Sequence, residues 1–552
     1  MTPDKIASEL HRILTSIAAA NSADIEITEQ QLQPERPKNR AHGDWASNAA
    51  MQFGKRIGMN PRALAEQIAA ELKLVDGIAA VEIAGPGFIN ITLDVAAAGQ
   101  IAQDIVLAGA AYGRNSLLSG QSINLEFVSA NPTGPVHLGH TRWAALGDSL
   151  ARVLKAAGAD IVSEYYINDA GAQMQKFGRS VLAAALNQPA PEDGYPGKYI
   201  QVLGEKVLKE RPDLVELSPA EQLDVTTEIA YRLQLGEIKS SLANFNVNFD
   251  VWFSERTLHE QTDGGKSKIE IALDRLREAG HVYEEGGATW VRTSTFGDDK
   301  DRVFTRGNGI YTYFAADAAY LLSKSSRGSY EKIYLLGADH HGYVGRLKAL
   351  SAVAGEDPER QMTVLIGQLV MLNGARLSKR AGNIVELDDL LEWVGSDALR
   401  FWLSRYPADS PLSLEGEKLR SRTNDNPVFY VQYAHARTCA VDRNAAAVGL
   451  QRDVFQPELL THTSETELLG KLQQYPGIVA GAAQLREPHR ITRYLEELAG
   501  SYHRWYDQCR VLPQGDEAIQ PLHQTRLWLN DAAQQVLANG LDLIGVSAPE
   551  RL

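Results

Sequence analysis

A strand, a Pro/Gly turn and a helix follow one another without a break between residues 123 and 154. Ile123-Asn124-Leu125-Glu126-Phe127-Val128 alternates as a strand does. Asn131-Pro132-Thr133-Gly134-Pro135 then breaks regular structure, and Ala145, Leu146, Leu150, Val153 and Leu154 recur at helical spacing. Such a join is where α/β sheets bind nucleotides. At the start of the helix stands His137-Leu138-Gly139-His140. The two histidines are three apart and share a face. Gly139 has no side chain, so a flat base or ribose can approach the backbone. Two imidazoles beside helix-end N–H groups suit phosphate charge. Taken alone, the same pair also reads as half a metal site or as two surface histidines.

A second element lies about 240 residues downstream: Arg376-Leu377-Ser378-Lys379-Arg380-Ala381-Gly382-Asn383. A basic loop with Ser and Gly suits mobile contact with phosphates, although a short charged run is also a common solvated turn. Together the two segments resemble the paired signatures of class I aminoacyl-tRNA synthetases. Glu126 to Pro135 is similar to the arginyl-tRNA synthetase version of the strand and turn. Tyr165-Tyr166-Ile167-Asn168-Asp169-Ala170-Gly171-Ala172-Gln173, Tyr311 to Asp317, Asn426 to Arg437 and Gly540 to Arg551 resemble further blocks of that family, so the resemblance spans nearly the whole chain.

The chain has 552 residues, too many for one ordinary core, and roughly three or four domains are expected. Residues 1–115 read as a small α+β module. Helical spacing runs through Ile6, Leu10, Ile13, Leu14 and Ile17, a second helix begins near Pro61, and strand patterns flank Gly85-Pro86-Gly87. By resemblance this is the domain that contacts the elbow of tRNA. Residues 116–395 read as a Rossmann-like, doubly wound parallel-sheet catalytic core, interrupted by an insertion at about 185–300 that opens on the Pro/Gly-rich stretch 187–197. Residues 396–552 read as an α-helical bundle, by resemblance the anticodon-binding domain. Cys439 and Cys509 are the only cysteines, which gives no disulfide framework and no Cys-rich zinc site. With no apolar signal core behind Met1 and no run of about 18 apolar residues, a cytoplasmic protein without a membrane span is expected. The net charge of −14 disfavours a uniformly basic nucleic-acid binder, but tRNA needs only local positive surface. Residues 33–62 hold six basic side chains against two acidic ones.

The resemblance implies an arginine–tRNA ligase. Such an enzyme activates L-arginine with ATP, then transfers it to the 3′-terminal ribose of tRNA(Arg), releasing AMP and pyrophosphate. His137, His140 and Lys379 are the expected catalytic residues. Pro132, Thr133, Gly134, Gly139, Arg376 and Ser378 complete the expected ATP site. Arginine calls for carboxylates and an aromatic wall around a guanidinium. Glu126, Tyr313 and Asp317 fit by motif position, Ser129 and Asn131 suit the amino-acid backbone end, and His340 is a further candidate. Expected partners are ATP with Mg²⁺ as substrate, L-arginine and tRNA(Arg), acting on a monomer. No resident metal, zinc or organic cofactor is expected. Two departures from the family pattern stand out. Arg376 occupies the first position of the loop signature, where lysine is usual. Asp339 and His340 stand in a block that often carries Gln. The alternatives are another class I synthetase or a non-catalytic tRNA-binding paralogue, which would be expected to have lost His140, Lys379 or the acidic pocket.

Overall fold

The computed structural model describes residues 3–37, 42–328, 330–373 and 385–552. The first unit pairs the helix Pro3–Ala20 and the helices Ala49–Ile57 and Pro61–Leu72 with a three-stranded antiparallel sheet. Its strands are β1 (Trp45–Ser47), β2 (Ile78–Ala84) and β3 (Phe88–Leu93), in the order β1-β3-β2. Asn60 caps the third helix by accepting from the Arg62 N–H, and Pro61 occupies the first turn, where its missing donor costs nothing. Ile6, Leu10, Leu14, Phe53, Leu64, Ile68, Ile89 and Ile91 close a separate core.

The second unit is built on five parallel strands. These are β4 (Ser122–Glu126), β5 (Asp160–Ile167), β6 (Val251–Ser254), β10 (Glu331–Gly337) and β11 (Met362–Gly367), in the order β11-β10-β4-β5-β6. The chain leaves β4 toward β5 on one side, while β10 returns on the other, with Tyr334 in register with Glu126. Connections therefore diverge at the carboxyl ends of β4 and β10, and a crevice opens there. A second, antiparallel sheet of β7 (Val282–Glu285), β8 (Ala288–Val291) and β9 (Arg302–Thr305) lies outside this one.

Three details differ from the sequence reading. The strand expected to run to Val128 stops at Glu126, because Val128 and Ser129 take positive φ values of 67° and 40°. That turn lets the Ser129 hydroxyl accept the Tyr166 N–H at 3.0 Å, joining the ends of β4 and β5. The stretch 185–300 is not one excursion, since β6 falls inside it and forms the sheet edge through parallel pairing with β5. Past residue 396, β13 (Leu412–Glu415) pairs with β12 (Val370–Asn373), which ties this part of the chain to the second unit. The long helices Pro427–Ala447, Thr463–Gln484, His489–Gln508 and Pro521–Leu543 form the terminal bundle. Their apolar faces run on into the core beneath the sheet without a gap.

The helix Leu138–Ala156 lies close against β4 because Gly147 faces Phe127. A Cβ added there would sit 2.3 Å from the phenyl ring. Gly147→Ala should therefore destabilise the protein by about 1–3 kcal/mol, through overpacking that exceeds the helix-propensity gain. Chemical denaturation measures this. An unchanged or raised midpoint would mean that the helix can move off the strand freely.

Candidate active site

His137 is the residue that precedes the helix Leu138–Ala156, in extended backbone, and His140 lies in its first turn. Their rings stack with centroids 3.8 Å apart and planes 24° apart. Burial lowers the pKa of both. His140 is pushed down to about 3, first by burial and then by the neighbouring His137. Both rings are therefore neutral near pH 7 and offer N–H hydrogen bonds rather than positive charge. The Nδ1 of His140 is buried with no hydrogen-bond partner among the described residues. Pro132 and Thr133 are buried in the preceding turn, and the Thr133 carbonyl accepts the Tyr199 hydroxyl at 2.9 Å. That hydroxyl also covers Gly134. Asn131 is exposed at the rim.

Arg376, Ser378 and Lys379 lie outside the described residues, but the chain that follows their segment is fixed beside the histidines. The Leu138 N–H donates to the Val385 carbonyl at 3.0 Å, and the Leu387 N–H donates to the Val136 carbonyl at 2.7 Å. Arg142, fully buried one turn further along the helix, donates to the carbonyls of Gln368 and Pro407 at 2.9 and 2.8 Å. It thereby holds the approach to β12, whose last residue, Asn373, precedes the loop.

Across the crevice, the helix Tyr313–Ser326 presents Asp317, Tyr320 and Lys324 on one face. Asp317 takes a hydrogen bond from Tyr343, and its Oδ2 is buried without a partner among the described residues. Burial pushes its pKa up to about 6. Tyr343 and Arg346 oppose that shift, while Glu255 and Glu126 add to it. Glu126 is not an open carboxylate. Lys324 donates to its Oε2 at 2.6 Å and Tyr320 at 2.8 Å, while Ser129 donates to Oε1 at 3.2 Å. Tyr313, at the first position of its helix, is 79% exposed and does not wall the crevice in this conformation. His340 is exposed on the helical turn Ala338–Tyr343, its ring edge-on to Tyr343 with centroids 6.4 Å apart.

The structure thus gathers Glu126, Ser129, Asp317 and, through Tyr343, His340 around one side of the crevice. Several participants had not been singled out in the sequence: Lys324, Tyr320, Tyr343, Glu164 and Arg327. Glu164 is fully buried. It accepts Arg327 at 2.6 and 3.0 Å, Tyr320 at 2.6 Å and Asn124 at 2.8 Å. Asp169, in the block after β5, accepts the hydroxyls of Tyr231 and Ser254, each at 2.6 Å, and holds that corner closed.

Three family models match the chain. They are described as the arginyl tRNA synthetase N terminal domain (residues 4–93), the tRNA synthetases class I (R) catalytic domain (102–401) and the DALR anticodon binding domain (431–552). The chain is 60% identical to the arginine–tRNA ligase of Renibacterium salmoninarum and 58% identical to that of Paenarthrobacter aurescens, over the full length of both partners in each case. The chain belongs to the arginyl-tRNA synthetases. It is a class I aminoacyl-tRNA ligase, an arginine–tRNA ligase. The arginyl-tRNA synthetase structure from Thermus thermophilus shares its fold, with a TM-score of 0.73 at 22% identity, covering 98% of this chain and 100% of that one.

In this synthetase the stacked histidines make a pH prediction. A histidine whose folded pKa is lowered contributes fully to stability above its ordinary value of 6.5. That contribution is lost as pH falls toward the folded value of about 3. His140 should therefore remain neutral down to about pH 4, and its share of stability should fall by about 1.4 kcal/mol per pH unit below 6.5. Histidine NMR titration of the protein and of His140→Gln measures this. A His140 resonance titrating near 6.5 would contradict the buried, neutral stack.

Proposed function

We propose that the crevice at the ends of β4 and β10 carries out both half-reactions on residues that can be named. In the first, an arginine carboxylate oxygen attacks the α-phosphorus of ATP, and the bond to the β-phosphate breaks to release pyrophosphate. In the second, a hydroxyl of the terminal tRNA ribose attacks the adenylate carbonyl, and AMP leaves. ATP brings its own Mg²⁺, as is usual for class I enzymes. No metal ligand set is required of the chain.

His137 and His140 act as neutral N–H donors toward ribose and phosphate, and the flat backbone at Gly139 admits the nucleotide beside them. Pro132, Thr133 and Gly134 form the floor. Lys379, with Arg376 and Ser378, meets the phosphates as charge develops on the leaving pyrophosphate. This role suits a loop whose C-terminal flank is anchored to Val136 and Leu138. Ser129 and Asn131 take the amino-acid backbone end, Asp317 takes the guanidinium, and Tyr313 and His340 close over it. The N-terminal unit lies toward the tRNA elbow and the terminal bundle toward the anticodon, with the division at residues 1–115, 116–395 and 396–552. A cytoplasmic monomer completes the proposal. Among the described residues, no helix is long and apolar enough to cross a membrane.

The single observation that carries the arginine assignment is the buried, unpartnered Oδ2 of Asp317. A shielded acceptor without a donor is costly unless a ligand supplies one. A guanidinium supplies two donors and a charge, which would also draw the Asp317 pKa back down. Asp317→Asn keeps the shape but loses the charge and one acceptor. It should raise the KM for arginine by on the order of tenfold to a hundredfold while leaving the KM for ATP nearly unchanged. Steady-state charging and arginine-dependent pyrophosphate exchange both read this split. Equal changes for both substrates would assign Asp317 to the fold or to the nucleotide instead.

A further inference from the structure

The C-terminal segment from Ile544 to Pro549 is strapped onto the catalytic unit, and Arg400 binds its first residue. This arginine, in the helix Ser396–Leu403, is fully buried. Its Nε donates to the Ile544 carbonyl at 3.0 Å, and one terminal nitrogen donates to the carbonyls of Phe245 and Asn246 at 3.0 and 3.2 Å. The other terminal nitrogen pairs with Asp148. Four of the five guanidinium N–H groups are thereby used, in a fork that lysine cannot reproduce. Asp148 also accepts Arg152 at 2.7 Å, and Arg152 reaches Asp542 on the last bundle helix at 3.4 Å. Ser547 and Gln432 both donate to Asp397, and Asn246 donates to the Gly545 carbonyl at 3.1 Å. Gly545 has φ of 64°, and a Cβ there would sit 2.3 Å from the guanidinium, so glycine alone lets the strap lie this close.

Asp148 belongs to the helix that begins at His137, eight residues beyond His140 or roughly 12 Å along the axis. One buried arginine thus touches the helix bearing the stacked histidines, the end of the inserted helix Pro219–Asn244 and the strap that leaves the bundle. We infer that Arg400 is a positioning residue for the reaction. It holds the signature helix to the C-terminal strap, so that tRNA engaged by the bundle bears on the position of His137 and His140. This rests on the function proposed above. Coupling between distant sites needs a contiguous, directional set of contacts, and these hydrogen bonds supply one across three elements.

The test compares kcat for arginine charging on two saturating tRNA(Arg) transcripts, one native and one with all three anticodon bases replaced. For the unaltered enzyme the native transcript should give the higher kcat. In Arg400→Lys that advantage should shrink by about tenfold, within the coupling such networks carry, while the KM for arginine stays within about twofold. A loss of folded enzyme lowers both rates alike and cancels in the ratio, so a merely structural role would not move it. Arg152→Ala, at a partly exposed position, should shift the ratio in the same direction by less, and it decides the matter if Arg400→Lys does not fold. An unaltered ratio in the variants, or an unaltered enzyme whose kcat ignores the anticodon, overturns the inference while leaving the proposed chemistry standing. Failure of the unaltered enzyme to charge tRNA with arginine overturns the proposed function, and this inference with it.

Discussion

The site depends on a buried network of opposite charges that pins one helix across the ends of two strands. Lys324, with no exposed surface, pairs with Glu126 at the end of β4, and Arg327 pairs with Glu164 on β5. Tyr320 donates to either carboxylate and shields the pairs. Ions taken out of water in this way cost several kcal/mol each unless their partners are fully satisfied. Here the lysine also sits over the rings of Tyr320 and Tyr334, at 4.5 and 4.1 Å. Removing one partner strands the other, so the arrangement tolerates little sliding of the helix. A helix fixed this firmly holds Asp317, one turn before Tyr320, at a defined depth in the crevice.

The same network explains why one carboxylate is left for a ligand. Glu126 and Glu164 are neutralised by cations of the chain itself, whereas Asp317 has a tyrosine hydroxyl and only the more distant charge of Arg346. Burial, and to a lesser extent the nearby Glu255, raises its pKa and makes a cation welcome there. On the nucleotide side the logic is reversed. The histidines are kept neutral by burial, so in the proposed mechanism the positive charge for phosphate comes from Arg376 and Lys379.

Local chemistry was legible in the sequence and long-range chemistry was not. The strand, Pro/Gly turn and helix from Ile123 to Leu154 form from neighbouring residues, so periodicity and turn residues locate the histidines closely. The end of β4 escaped this reading, because the positive φ values at Val128 and Ser129 answer to a hydrogen bond from β5. β6 was hidden in a charged stretch because a four-residue edge strand has almost no period to detect. Lys324 and Arg327 gave no sign of their role in the sequence, since their partners lie 198 and 163 residues away. One signal was present all the same. Asp317, Tyr320 and Lys324 form a stripe at helical spacing on one side of the crevice, while Tyr313, on the same spacing, begins the helix and turns to solvent. Asp317 was named through resemblance, and its shielded, unpartnered oxygen emerges only from the fold.

The most direct measurement of the central claim is competitive charging of tRNA with L-arginine, L-citrulline and L-lysine. Citrulline has the shape of arginine without its charge, and lysine has the charge without the planar fork. A site whose deciding feature is the free Asp317 oxygen in an acidic crevice should prefer arginine over citrulline by on the order of 10⁴ in kcat/KM, with lysine rejected as well. Comparable charging of citrulline would show that shape, rather than the carboxylate, selects the substrate, and comparable charging of lysine would show that a point charge at Asp317 is enough.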